Sequence, residues 1–226
     1  MSGPLLTLAL DASTYIGTVA VLRDGAVIAE RAAAMRGEDE ERLMPAVIAT
    51  LAEAGCTAAA VQRVICGAGP GSFTSLRIAG AIAKGIAFGN DIPLFGVSSL
   101  ALIVAGCRPS LKAGRYLALL DAMRAERYAS LFDVTADGVV RELESLGRIA
   151  DADIAATCER LGAQAIGPRE SLEAAPHARG GASLLESVIA SGPVSLDHWE
   201  PAYGRLAEAQ VKWEAAHGRA LSVDDA

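Results

Sequence analysis

Residues 61–78 read VQRVICGAGPGSFTSLRI: a short apolar run, a loop with glycines at Gly67, Gly69 and Gly71, then the start of a helical pattern reaching about residue 88. Strand, glycine-rich loop and helix in that order mark an α/β unit. The backbone N–H groups of such a loop, together with the helix N-terminus behind it, can hold an anion. The loop is not a P-loop, because no Gly-Lys-Ser/Thr follows it, and its glycines are not spaced as G-x-G-x-x-G. Spacing alone favours a plainer reading, a tight turn whose Ser72 or Thr74 caps the helix. Along the helix Ile78, Ile82 and Ile86 form one stripe. Beside it runs a stripe of small residues, Ser75, Ala79, Ala83 and Ala87, while Arg77 and Lys84 share another side. Small side chains allow close approach, which suits a tight core and a helix–helix interface equally.

On the N-terminal side, two apolar runs at 5–10 and 17–22 and a third strand pattern at 26–31 are joined by short turns, one of them Asp24-Gly25. Between the first two lies Asp11-Ala-Ser13-Thr14. An Asp at the end of a first strand can orient a metal-bound water, and a nearby hydroxyl can meet phosphate, as in the first phosphate loop of actin-like ATPases. An acidic stretch, Glu38-Asp-Glu-Glu41, precedes Leu43, Met44, Val47, Ile48 and Leu51 at helical spacing. Carboxylates there favour the positive end of a helix dipole, and Pro45 is tolerated if the helix starts near Leu43. On the C-terminal side, residues 93–97 read as a strand, with a helix through Ala105, and residues 107–114 form a candidate lobe boundary. Two strands, 116–120 and 127–134, then flank Asp121-Ala-Met-Arg124, where a second phosphate loop would stand. A phosphate-embracing hairpin needs glycines so that backbone can approach the oxygens. Ala122, Met123 and Arg124 present side chains instead, which counts against ATP hydrolysis. Beyond, residues 149–166 mix a helix with a short strand, 183–190 read as a helix, and Leu206, Ala209, Trp213 and Ala216 recur at helical spacing before Gly218. Gly180-Gly181 offers only weak evidence of an adenosine-contacting turn.

Bulk properties exclude several classes of function. The 226 residues are 52% hydrophobic and 21% charged, enough for two small lobes with real cores. Net charge is −7, with 20 Lys and Arg scattered among 27 acids, so direct gripping of a nucleic-acid backbone by this chain alone is disfavoured. Four separated cysteines form no CxxC pair, and His177, His198 and His217 form no HExxH or HxxxH pair, so a metal site is unsupported. Gly96-Val-Ser98 lacks the second glycine of a nucleophile elbow. No signal peptide or membrane span is read, and the expected location is cytoplasmic.

Taken together these segments resemble the TsaB family, also called YeaZ. Gly69-Pro-Gly-Ser-Phe-Thr-Ser-Leu-Arg-Ile78 is similar to the family's GPGSFTGLR signature, with Ser75 where Gly is usual. Leu8-Ala-Leu-Asp-Ala-Ser-Thr14 resembles its opening strand and Pro93-Leu-Phe-Gly-Val-Ser-Ser-Leu100 a later strand and turn. Leu119-Leu-Asp-Ala-Met-Arg-Ala-Glu-Arg-Tyr128 resembles DARRxEVY, with Met123 and Arg127 as departures. The likeness covers residues 5–134, thins from 135 to 195, and returns at Glu200-Pro-Ala-Tyr203.

The resemblance implies an α/β fold of the actin-like ATPase class (ASKHA, ribonuclease H-like) with two lobes. Residues 1–106 would form the first lobe, 115–195 a smaller second, and 200–220 a helix returning to the first. It implies a non-catalytic scaffold or activating subunit of the complex that forms N6-threonylcarbamoyladenosine beside the tRNA anticodon. Partners would be a TsaD-type catalytic subunit and a TsaE-type ATPase, with tRNA met only through the complex, a homodimer possible and no membrane. ATP and a metal ion are expected on the partners and no cofactor on this chain. Asp11, Ser13, Gly69, Gly71 and Ser72 would be vestigial phosphate loops. Leu43, Val47 and Leu51, with Arg77, Ala81 and Lys84, would meet the partner. The alternatives are an ATP-dependent kinase or hydrolase and, less favoured, a protease.

Overall fold

The computed structural model describes residues 5–35 and 41–203. Its first strand, β1 (Leu6–Asp11), is buried at every position, because it lies between an antiparallel and a parallel neighbour and is covered on both faces. β2 (Ile16–Arg23) and β3 (Ala26–Ala34) turn back at Asp24 and Gly25, both at positive φ (51° and 85°), the backbone that a two-residue hairpin requires. Helix α1 (Leu43–Glu53) starts where Glu41 accepts hydrogen bonds from the Leu43 and Met44 amides. Strand β4 (Arg63–Gly67), helix α2 (Phe73–Asn90), strand β5 (Leu94–Val97) and helix α3 (Ser99–Ala105) follow. The first sheet is ordered β3-β2-β1-β4-β5.

The second half repeats the plan. β6 (Gly114–Asp121), β7 (Glu126–Val134) and β8 (Val140–Ala150) form an antiparallel trio. Helix α4 (Ile154–Leu161) then leads to β9 (Gln164–Gly167) and β10 (Leu172–Glu173). The order β8-β7-β6-β9-β10 matches the first sheet strand for strand. This is the two-lobed actin-like α/β fold.

Burial sorts the side chains by the strand period of two. Leu6, Leu8 and Leu10 of β1 join α1 and α2 in one core, while Ala9 faces the other way. Tyr116, Ala118 and Leu120 of β6 share Ala9's core with α3, and Leu117 and Leu119 pack beside α4. Helix α3 therefore sits in apolar contact with both sheets. The small-residue stripe of α2 is spent inside the chain: Ser75, Ala79, Ala83 and Ala87 are 0–3% exposed.

Two features differ from the sequence expectations. Strand β8 escapes the alternation rule because its pairing with β7 is interrupted twice, and Leu143 and Leu146 occupy the extra positions. Val140, Leu143, Leu146 and Ile149 thus recur every third residue, a spacing that disguises a strand. The second sheet, moreover, ends at Glu173, and the chain recrosses well before residue 195. Ala178 donates to Thr18 Oγ1 (3.0 Å), Val194 to the Leu94 carbonyl (2.8 Å) and Ala202 to the Ala68 carbonyl (2.6 Å). Helix α5 (Leu185–Ala190) contacts β5. The helix expected over 205–217, like Glu38–Glu40 of the acidic stretch, lies outside the described residues.

Candidate functional site

Asp11 ends β1 with no exposed surface. Its Oδ1 accepts from the Ser13 amide (3.0 Å) and the Ser13 hydroxyl (2.8 Å), and its Oδ2 accepts from the Ser99 hydroxyl (2.6 Å) at the first residue of α3. Burial pushes the carboxyl above its usual range, and the Ser99 and Ser13 hydrogen bonds pull it back. The same burial, with the charge of Asp11 nearby, raises the Cys66 thiol.

The glycine loop closes on this carboxylate. A Cβ on Gly67 would stand 2.0 Å from Asp11 Oδ2, so only glycine fits there. Gly69 donates to Ser99 Oγ (3.1 Å), and its carbonyl accepts from the Ser99 amide (2.9 Å). Gly71 presses on the Ser13 backbone, where a Cβ would lie 2.2 Å from the carbonyl oxygen, and Ser72 N–H donates to that oxygen at 2.7 Å. The Ser72 hydroxyl turns to Ser75 (3.1 Å) and makes no capping bond to the helix backbone. Asp11, Ser13, Gly69, Gly71 and Ser72 are therefore brought together, but the Ser13, Gly69 and Ser72 amides are directed at the chain itself. The set does not fit a bound phosphate. Ser99, the third donor, stands in the segment 93–100 of the resemblance, but no spacing assigns it this role, because it arrives from 88 residues away.

The opposite loop fits no better. Met123, Arg124 and Ala125 all adopt positive φ (65°, 56° and 58°), and Asp121 Oδ1 accepts from the Met123 amide (2.7 Å). Left-handed backbone costs a non-glycine residue about 1–2 kcal/mol, and here it turns the Met123 and Arg124 side chains to solvent. Between the halves lies a cavity of about 360 Å³, bordered by Pro70, Ser98, Tyr128, Ser130, Glu142 and Arg148. Its one arginine among the described residues already pairs with Glu126 at 3.2 Å, so no surplus cation of the described residues faces it. Gly180 and Gly181 are buried against Gly106, Ala9 and Ile65 and serve packing.

Histidine and cysteine chemistry finds little footing. His177 accepts from the Arg179 amide, and burial, then the Arg179 charge, holds it down at about 4. His198 is exposed and His217 lies outside the described residues. Among the described residues no three His, Cys, Asp or Glu side chains could share a metal ion, and no described helix is long and apolar enough to cross a membrane.

The expected partner contacts divide. Leu43, Val47 and Leu51 are 0–3% exposed and belong to the chain's own core, since helical recurrence of apolar residues marks the face that packs inward. Lys84 is half-buried, its ammonium 6.0 Å from the centre of the Trp199 ring. Arg77 and Ala81 do face outward. They lie on an exposed stripe with Thr74, Gly85 and Phe88, the last 80% exposed, while Ile48 stands 58% exposed on α1. Arg77 lies over Phe73 (5.2 Å), which in turn packs on Tyr203 (4.4 Å), so the foot of the stripe is anchored.

Comparison with known proteins follows the same lines. Residues 32–162 match the family model described as TsaD: tRNA N6-adenosine threonylcarbamoyltransferase. The chain is 35% identical over 132 residues to the tRNA threonylcarbamoyladenosine biosynthesis protein TsaB of Escherichia coli K12, covering 58% of this chain and 57% of that one. It is 34% identical over 125 residues to the Bacillus subtilis protein of the same name, covering 55% and 54%. A solved structure from Pseudomonas aeruginosa, described as similar to peptidase YEAZ, superposes with a TM-score of 0.74 at 28% identity, over 89% of this chain and 100% of that one. The chain spans a little over half the length of the curated relatives it matches.

Proposed function

We propose a function from one premise: the chain belongs to the family of TsaD, tRNA N6-adenosine threonylcarbamoyltransferase, and within it to the TsaB (YeaZ) group. The chain serves the formation of threonylcarbamoyladenosine in tRNA as a non-catalytic subunit. It pairs with a TsaD-type catalytic subunit through the outer faces of α1 and α2, holds that subunit in its working form, and meets tRNA and a TsaE-type ATPase only within the complex.

The observation that supports this reading is the outer face of α2. Thr74, Arg77, Ala81 and Gly85 recur at helical spacing, with Phe88 at the end and Ile48 on the neighbouring helix. Small residues flanked by exposed large apolar ones let a second helix approach closely and give it something to bury. The inner stripe of the same helix is already filled by the sheet, so the outer one is available. A net charge of −7 supports an indirect route to tRNA.

The test is reconstitution with purified catalytic and ATPase partners. Ala81→Trp adds bulk and Arg77→Glu reverses charge on the outer face. Each is expected to abolish co-purification and tRNA modification while leaving the thermal unfolding of the isolated chain within a few degrees of wild type. Full modification without this chain, or with both variants, refutes the proposal.

A further inference from the structure

A glycine-rich loop at the end of a strand can hold an anion such as phosphate with backbone amides and hydroxyls. Here the corresponding donors converge on a group the chain supplies. The Ser13 amide, the Ser13 hydroxyl and the Ser99 hydroxyl all point at the Asp11 carboxyl, at 3.0, 2.8 and 2.6 Å. We propose that the Asp11 carboxylate is a resident anion: it takes up the donors of the Ser13 turn and of Ser99 and so ties β1, the glycine loop and α3 together with no nucleotide bound.

Three independent observations carry this. The carboxylate is fully buried, and its position is enforced by Gly67, whose hydrogen leaves just enough room for Oδ2. Ser99 is bonded three ways, donating to Asp11, accepting from the Gly69 amide and sending its own amide to the Gly69 carbonyl. The helix that Ser99 opens is packed against both sheets, with Leu100, Leu102, Ile103 and Val104 in the core they share. The tie therefore runs from the first lobe to the element common to both. A sixth link, Ser72 N–H to the Ser13 carbonyl, extends it to the start of α2. Two consequences follow: phosphate has no place here, because its donors are taken, and the arrangement of the lobes is set without a ligand.

Removing the side chain should expose the site as an anion site. Asp11→Ala leaves three donors around a space the size of a carboxylate, which formate matches. In thermal unfolding at equal ionic strength, wild type should respond alike to sodium formate and sodium chloride. It should also be indifferent to ATP and to pyrophosphate. Asp11→Ala should unfold at lower temperature and regain roughly 3 °C or more in formate alone, through ligand linkage. Equal responses of the variant to formate and chloride overturn the proposal, as does stabilisation of wild type by ATP or pyrophosphate. Should Asp11→Ala fail to fold, Ser99→Ala and Asp11→Asn are read by hydrogen exchange. Faster exchange at the Gly69 and Ser13 amides in both supports the tie, and wild-type exchange in either refutes it. These readouts need no partner protein, so they stand or fall apart from the proposed function.

Discussion

Replacing Gly67 by alanine adds one methyl group, yet it should cost as much as emptying part of the core. The new Cβ would lie 2.0 Å from Asp11 Oδ2 and 2.8 Å from Cγ. The carboxylate cannot swing aside cheaply, because it is buried and held by three donors. Overpacking of a core costs about 1–3 kcal/mol, and hydrogen bonds to a charged group are worth about 1.5–3 kcal/mol each. Losing the Ser99 bond and accommodating the methyl group therefore predicts a loss of about 3–5 kcal/mol. The deciding measurement is a double-mutant cycle by urea unfolding. In an Asp11→Ala background the colliding atoms are gone and the nearest remaining contact, the residue 11 Cβ, is at 3.1 Å. Gly67→Ala should there cost under ~1 kcal/mol, a coupling of about 3 kcal/mol. A similar cost in both backgrounds would show that glycine is needed for the backbone of β4 and not for the carboxylate, and the reasoning would be wrong.

Three further outcomes can be measured. Phe88→Ser should leave the isolated chain's urea midpoint unchanged, since the ring is 80% exposed, and should weaken pairing with the catalytic partner about 10- to 100-fold in a titration. Arg124→Gly should stabilise the chain by roughly 0.5–1 kcal/mol in calorimetry, because glycine adopts the observed φ of 56° without steric cost; a destabilised variant would mean that the arginine side chain contributes more than its backbone strain costs. His177 is held at about 4, against 6.5 for the unfolded chain. Between those values the unfolded state binds the extra proton, so stability falls as pH drops from about 6.5 to about 4. The slope should total about 1–2 kcal/mol after allowing for partial exposure and should vanish in His177→Gln.

Most of the architecture could be read from the chain, because its elements obey simple periods. The run before Asp11, the Asp24-Gly25 turn, the strand–glycine loop–helix unit and the start near Leu43 all appear where local chemistry puts them. Legibility ended where spacing has two meanings. The recurrence of Leu43, Val47 and Leu51 correctly marks a helix but marks its inner face, which is buried in the chain's own core. The small-residue stripe of α2 likewise resolved into a bed for the sheet, and spacing alone does not say which of the two stripes, that of Ser75, Ala79, Ala83 and Ala87 or that of Thr74, Arg77, Ala81, Gly85 and Phe88, faces outward. Strand β8 was hidden by its two bulges. The polar knot at Asp11 was half visible, since Ser13 is two residues away and Ser99 reaches it only through the tertiary fold.

The late return of the chain has a consequence for how the protein is made. Residues 178, 194 and 202 supply hydrogen bonds to Thr18, Leu94 and Ala68, so a nascent chain stopped at the lobe boundary leaves its first sheet without these closures. During synthesis the N-terminal half is then expected to stay partly uncovered until the second sheet and the strap behind it emerge, so that assembly completes late. Expressing residues 1–106 alone should yield an aggregating fragment, and supplying the remainder in trans is the way to recover it.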